Sequence, residues 1–130
     1  MSGADLNKTI FQAMRKPWKM GVHDCTQFAI DCEIALTGKT LFPEFYRTYG
    51  TSSAGFGILK RLGFFSTWEC ASSRLEEVPL DAVKRGDLIG HHAPNKSLAI
   101  AANRYSFWAA NEKGGVSMLP MDLAMKAWRF

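Results

Sequence analysis

The chain has 130 residues, with 16 Lys and Arg against 12 Asp and Glu for a formal charge of +4, and a pI near 9.1. At 47% hydrophobic and 22% charged, with no long apolar run, it is neither a helical membrane span nor a wholesale disordered chain. This length predicts one domain over residues 1–130 that buries roughly two thirds of its unfolded surface without metal or disulfide staples. The basic balance suits acidic partners, but the charges are scattered. The cluster "KTIFQAMRKPWK" reads as a solvated helix end, so nucleic acid is not an expected partner. The N-terminal residues lack a basic start followed by an apolar core, which predicts no secretory signal. Cys25, Cys32 and Cys70 are an odd count without framework spacing, which reads as reduced thiols made in a cytoplasm. On one helix, Cys25 and Cys32 would stand about 10 Å apart, beyond disulfide reach.

In chain order, Leu6, Ile10, Phe11 and Met14 fall at helical spacing from about Asp5 to Lys16, and Pro17 ends the pattern. Asp24 is a good N-cap for a second helix. From there Cys25, Phe28, Ala29, Cys32, Ala35 and Leu36 form one apolar stripe, Ile30 and Ile34 form another, and Gly38 supplies the C-cap. A helix apolar on two sides is buried. "SSAGFGILKRLGF" reads as a third helix capped by Ser52 or Ser53 and stopped at Gly63. The pattern then changes to short segments separated by turns. "FFSTWECA", "GDLIGHH", "SLAIAA", "YSFWAAN" and "GVSMLPM" read as strands, and "DLAMKAWRF" as a last helical turn or a closing strand. Helices first and an antiparallel sheet after predict an α+β domain. Small Ala99, Ala101 and Ala102 are expected to let the second helix lie close to that sheet. Trp18, Trp68, Trp108 and Trp128 would line either a groove or the core.

The residues that raise a question of chemistry are His23, Asp24 and Cys25. A thiol on the first turn of a helix sits where free N–H groups and the helix dipole favour its thiolate. To act as a nucleophile it needs an imidazole base, with a third polar group to orient that base. The alternative is a small core residue, since free cysteines are often buried. No second motif with ligand spacing accompanies "HDC" or the pair His91 and His92, so no metal and no cofactor are expected.

The order of parts, "WKMGVHDCTQFAID" (Trp18 to Asp31), "ALTG" (Ala35 to Gly38), "RGDLI" (Arg85 to Ile89) and a terminal "AWR" (Ala127 to Arg129), resembles the NlpC-type branch of the papain-like cysteine peptidases. It is most similar to a small phage-encoded family of that branch whose genes accompany tail-tip and baseplate proteins. The resemblance implies a papain-like NlpC-type fold with the Cys25 helix packed on a C-terminal antiparallel sheet. It puts the nucleophile at Cys25, preceded by Asp24 as in those enzymes, and begins the first core strand at Gly86 to Leu88. The base should open the next strand, and Ser97 stands there; a serine cannot take the thiol proton near neutral pH. If "APNK" is a four-residue hairpin loop, His92 lies across from Ser97 and presents an imidazole from the neighbouring strand; a slip of one residue would give His91 that face. His23 is a further candidate base, and Asn103 or Asn111 a candidate orienting group. Two functions are implied. One is a structural part of a phage tail tip or baseplate, with other tail proteins as partners and the virion as its place after synthesis in the host cytoplasm. The other is a cysteine peptidase or amidase of the tail tip that cleaves bacterial peptidoglycan during DNA entry, with the cell wall as partner.

Overall fold

The computed structural model describes residues 3–91 and 96–130. Four helices, α1 (Gly3–Ala13), α2 (Cys25–Thr37), α3 (Ser52–Leu62) and α4 (Thr67–Arg74), precede the main strands. The strands are β1 (Glu76–Glu77), β2 (Leu88–His91), β3 (Ser97–Ala101), β4 (Ser106–Ala110), β5 (Val116–Pro120) and β6 (Ala124–Arg129). They form one antiparallel sheet in the order β1-β6-β2-β3-β4-β5. This is the α+β arrangement expected of helices followed by strands.

Each helix boundary has a local cause. Asp24 caps α2 by accepting from the Gln27 amide at 2.8 Å, and Gly38, at φ 86°, closes it with its N–H on the Ile34 carbonyl. Helix α3 is capped by Thr51, one residue before the expected serines, through the Ala54 amide at 3.1 Å. Helix α1 ends at Ala13 rather than Lys16, because the last residues tighten into i+3 turns and the Lys16 carbonyl accepts from Gly115 of the β4–β5 turn at 2.9 Å. "FFSTWECA" is the main departure from the strand reading. Ser66 caps α4 through the Glu69 amide at 3.2 Å. The Ser-x-x-Glu start, a helix signature, outweighs the strand preference of Phe64, Phe65, Thr67 and Trp68. The closing segment is strand β6, entered through a 3-10 turn over Met121–Leu123.

The sheet is buried on both faces. On one, Leu88, Leu98, Ile100, Trp108 and Trp128 meet Leu6 and Ile10 of α1, Phe28, Ala29 and Cys32 of α2, and Trp68 and Ala71 of α4. On the other, Ile89, Ala99, Ala101, Phe107, Ala109, Ala124 and Ala127 are covered by Val78 and Val83. The two stripes of α2 therefore have separate duties. Phe28, Ala29 and Cys32 face the sheet, while Ile30 packs with Phe42, Phe45, Ile58 and Leu59 under the α2–α3 connection. Strand alternation corrects the reading of the small residues: of Ala99, Ala101 and Ala102, only Ala102 lies on the helix side, and the residues of β3 beneath α2 are Leu98 and Ile100. Trp68, Trp108 and Trp128 are core residues, and only Trp18 borders a cleft.

Two of the quoted motifs meet across this sheet. Asp87 of "RGDLI" accepts from Arg129 of "AWR" at 2.9 Å and 2.8 Å, a bidentate pair that ties the start of β2 to the end of β6, and it also accepts from the Lys84 amide.

Candidate functional site

Cys25 is the first residue of α2 and half-buried. It lines a cleft of about 520 Å³ shared with Trp18, Tyr49, Phe56, Phe65, Thr67, Lys96, Ser97 and Glu112. Asp24 holds this corner together. Its Oδ1 accepts from Gln27, and its Oδ2 accepts from the Gly21 amide at 2.8 Å and the Tyr49 hydroxyl at 2.9 Å. Gly21 has φ 83° and lies against the Tyr49 carbonyl, where any Cβ would come within 1.8 Å, so only glycine fits there. Gln27, fully buried, donates to the Phe45 carbonyl at 2.6 Å and accepts from the Arg47 amide at 2.9 Å, fixing the loop beside the cleft.

The other wall comes from β3, and α4 fixes its position. Thr67 Oγ1 donates to the Lys96 carbonyl at 3.0 Å, and the Trp68 indole N–H donates to the Ser97 carbonyl at 3.1 Å. Trp68 can lie this close because its neighbour on β2 is Gly90; a Cβ there would meet the indole at 2.8 Å. Held in this way, β3 sets Ser97 on the cleft wall beside Cys25.

Burial pushes the Cys25 thiol above its ordinary range, and the Asp24 carboxylate adds to the rise. The Leu98 amide and the Thr26 and Ser97 hydroxyls pull the other way without reversing it. The helix dipole alone predicted a more accessible thiolate; loss of water around the sulfur outweighs it. Tyr49 is likewise pushed up by burial and then by Asp24, so its phenol stays protonated and donates. Cys32 and Cys70, buried in the core, are pushed up by desolvation.

The histidines are placed as follows. The His23 ring is 1% exposed, stands edge-on to Phe28, and directs Nε2 at the Gly115 carbonyl at 3.1 Å. A carbonyl only accepts, so Nε2 carries the proton and His23 ties the loop before α2 to the β4–β5 turn. Strands β2 and β3 pair His91, not His92, with Ser97. The register is therefore one residue out from the expected one, with Lys96 in the left-handed region at φ 58° just before the strand. His91 packs its ring on Phe107 at 5.1 Å between centroids, within the far-side cluster. His92 lies outside the described residues. Asn103 accepts from Tyr105 and Ser106, and Asn111 bonds Ser117 and Lys113, so each serves its own turn rather than an imidazole.

The site thus joins Cys25, Asp24 and Ser97 in one place, sets His23 aside on a backbone carbonyl, and adds three groups not singled out from sequence. Of these, the "DCTQ" run could have marked Gln27 as a capping-type partner of Asp24. Tyr49 and the Leu98 amide carry no sequence signal, because only the fold brings them to Cys25. Among the described residues, no cluster of His, Cys, Asp or Glu side chains could hold a metal, and no helix is long and apolar enough to cross a membrane.

The fold is similar to the crystal structure of the NlpC/p60 domain of the peptidoglycan hydrolase SagA, with a TM-score of 0.63 over 100% of both chains and 14% sequence identity. That likeness establishes the papain-like NlpC-type fold. No curated protein matches the chain. Residues 3–130 match a domain of unknown function, and the chain belongs to this DUF6950 family.

Proposed function

We propose that this protein is a structural component of a bacteriophage tail tip or baseplate, built on an NlpC-type fold whose thiol site has no base among the described residues. The observation that carries the reading is the placement of Ser97, first residue of β3, on the wall of the cleft that Cys25 lines. A hydroxyl in that place can steady the sulfur but cannot take its proton near neutral pH, and burial already holds the thiol protonated. The tail assignment is supported by the order of motifs from Trp18 to Arg129 and its resemblance to tail-tip proteins. Exposed Phe56 and Phe65 at the cleft, the latter 90% exposed, suit a surface that another tail protein covers. Its partners are then neighbouring tail proteins, and its place is the virion after synthesis in the host cytoplasm.

A second reading has one observation in its favour: the cleft beside Cys25 is open. In that reading Cys25 is the nucleophile of a peptidase or amidase that cuts peptidoglycan, as the SagA domain's description suggests, with His92 as the base.

The test incubates wild type, Cys25→Ser and Ser97→His with purified peptidoglycan and follows released stem peptides, alongside mass spectrometry of purified particles. The structural reading expects no release from wild type and the intact chain in tails. Release by wild type that disappears in Cys25→Ser would move the protein to the second reading.

A further inference from the structure

The sheet has two edges, and they are built in opposite ways. The β1 edge is two residues long, both glutamates, and Glu77 is bonded to Lys126 at 3.2 Å. Short and charged, it has the features that keep a strand edge from pairing with another chain. The β5 edge has none of them in its middle. Its five residues, Val116–Pro120, carry no charge, and the sheet ends there, so among the described residues its outer backbone groups have no strand beside them. Met118 at the centre of this strand is 58% exposed.

We propose that β5 is the docking edge for a second copy of this chain, paired antiparallel about a two-fold axis at Met118. In that register Met118 faces its own copy, Ser117 faces the partner's Leu119, and Val116 faces the partner's Pro120. Every pair is uncharged, so no like charges meet across the seam. The charges flanking the strand favour the antiparallel sense. Exposed Lys113 lies before it and exposed Asp122 after it, so a two-fold brings each Lys113 to the Asp122 end of the other copy. Glu112, next to Lys113 in the chain, belongs to the wall of the Cys25 cleft. Pro120 offers no N–H, which limits the ladder to Val116 through Leu119 and sets where it stops. The pairing is isologous, the commonest closed form for identical chains. It is independent of the tail reading, since the edge is present whether or not Cys25 acts.

The test is sedimentation velocity of the full chain from roughly 1 to 500 µM, a range that spans weak to moderate self-association. It uses wild type, Met118→Lys, Met118→Glu, and an equimolar mixture of the two variants, with thermal melting to show that each variant is folded. Expected are a concentration-dependent wild-type dimer, two monomeric variants, and a dimer restored in the mixture, because lysine then faces glutamate across the axis. A wild type that stays monomeric throughout would overturn the proposal. So would a dimer that survives in both variants, or variants whose mixture stays monomeric, since each means Met118 does not face its own copy.

Discussion

The head of α2 and the start of β3 meet at the Cys25 sulfur, and the two sides of that meeting differ in kind. On the α2 side, one carboxylate caps the helix, holds the Gly21 turn and anchors Tyr49. On the β3 side the backbone is held just as firmly, by Thr67 and Trp68 on consecutive carbonyls. Among the described residues, what stands at the end of that frame is a hydroxyl. The frame and the proton chemistry of such a site are therefore separable. The frame is also part of what keeps the domain folded, whereas the base is one side chain that the fold does not need.

The largest losses are expected on the α2 side. Asp24→Ala removes the cap and leaves the Gly21 amide and the Tyr49 hydroxyl without their acceptor, and should cost about 3 kcal/mol in urea unfolding. Gln27→Leu strands the Phe45 carbonyl and the Arg47 amide, and should cost about 2 kcal/mol by the same measurement. The β3 side is sharpened rather than broken by Ser97→His. An imidazole placed there should raise the rate of Cys25 alkylation by iodoacetamide at pH 7 by about tenfold or more, with Cys25→Ser as the control for the other thiols. The wild-type rate should still be climbing at pH 9, because the folded thiol titrates above its ordinary value and the reactive thiolate appears only as pH rises through that higher range. A wild-type rate already at its plateau near pH 7 would contradict the pull of burial on Cys25. The smallest effect belongs to the rim: Phe65→Ser, at a side chain 90% exposed, should change stability by less than about 0.5 kcal/mol.

Much of the fold was legible from local rules. The Asp24 cap, the Gly38 and Gly63 stops and the two stripes of α2 are properties of single turns, and the structure places them where the periodicity does. Helix α4 departs from the strand pattern because the Ser66 cap on the Glu69 amide outweighs the strand preference of the aromatic and β-branched residues around it. The β2–β3 register differs by one residue from that of a four-residue hairpin loop, and with period-two alternation one residue exchanges which side chains face each other.

Periodicity and caps along the chain carry the order of helices followed by an antiparallel sheet and place Cys25 at the head of a buried helix; that Ser97 stands where a base would is what the family resemblance implies. The first two follow from composition, caps and chain order, which act over a few residues. Only the tertiary structure decided that His91 rather than His92 lies opposite Ser97, that His23 turns to a backbone carbonyl, and that burial raises the Cys25 thiol against its helix dipole. Each depends on which distant segments exclude water from a group, and that is set by packing across the whole sheet rather than by neighbours in the chain.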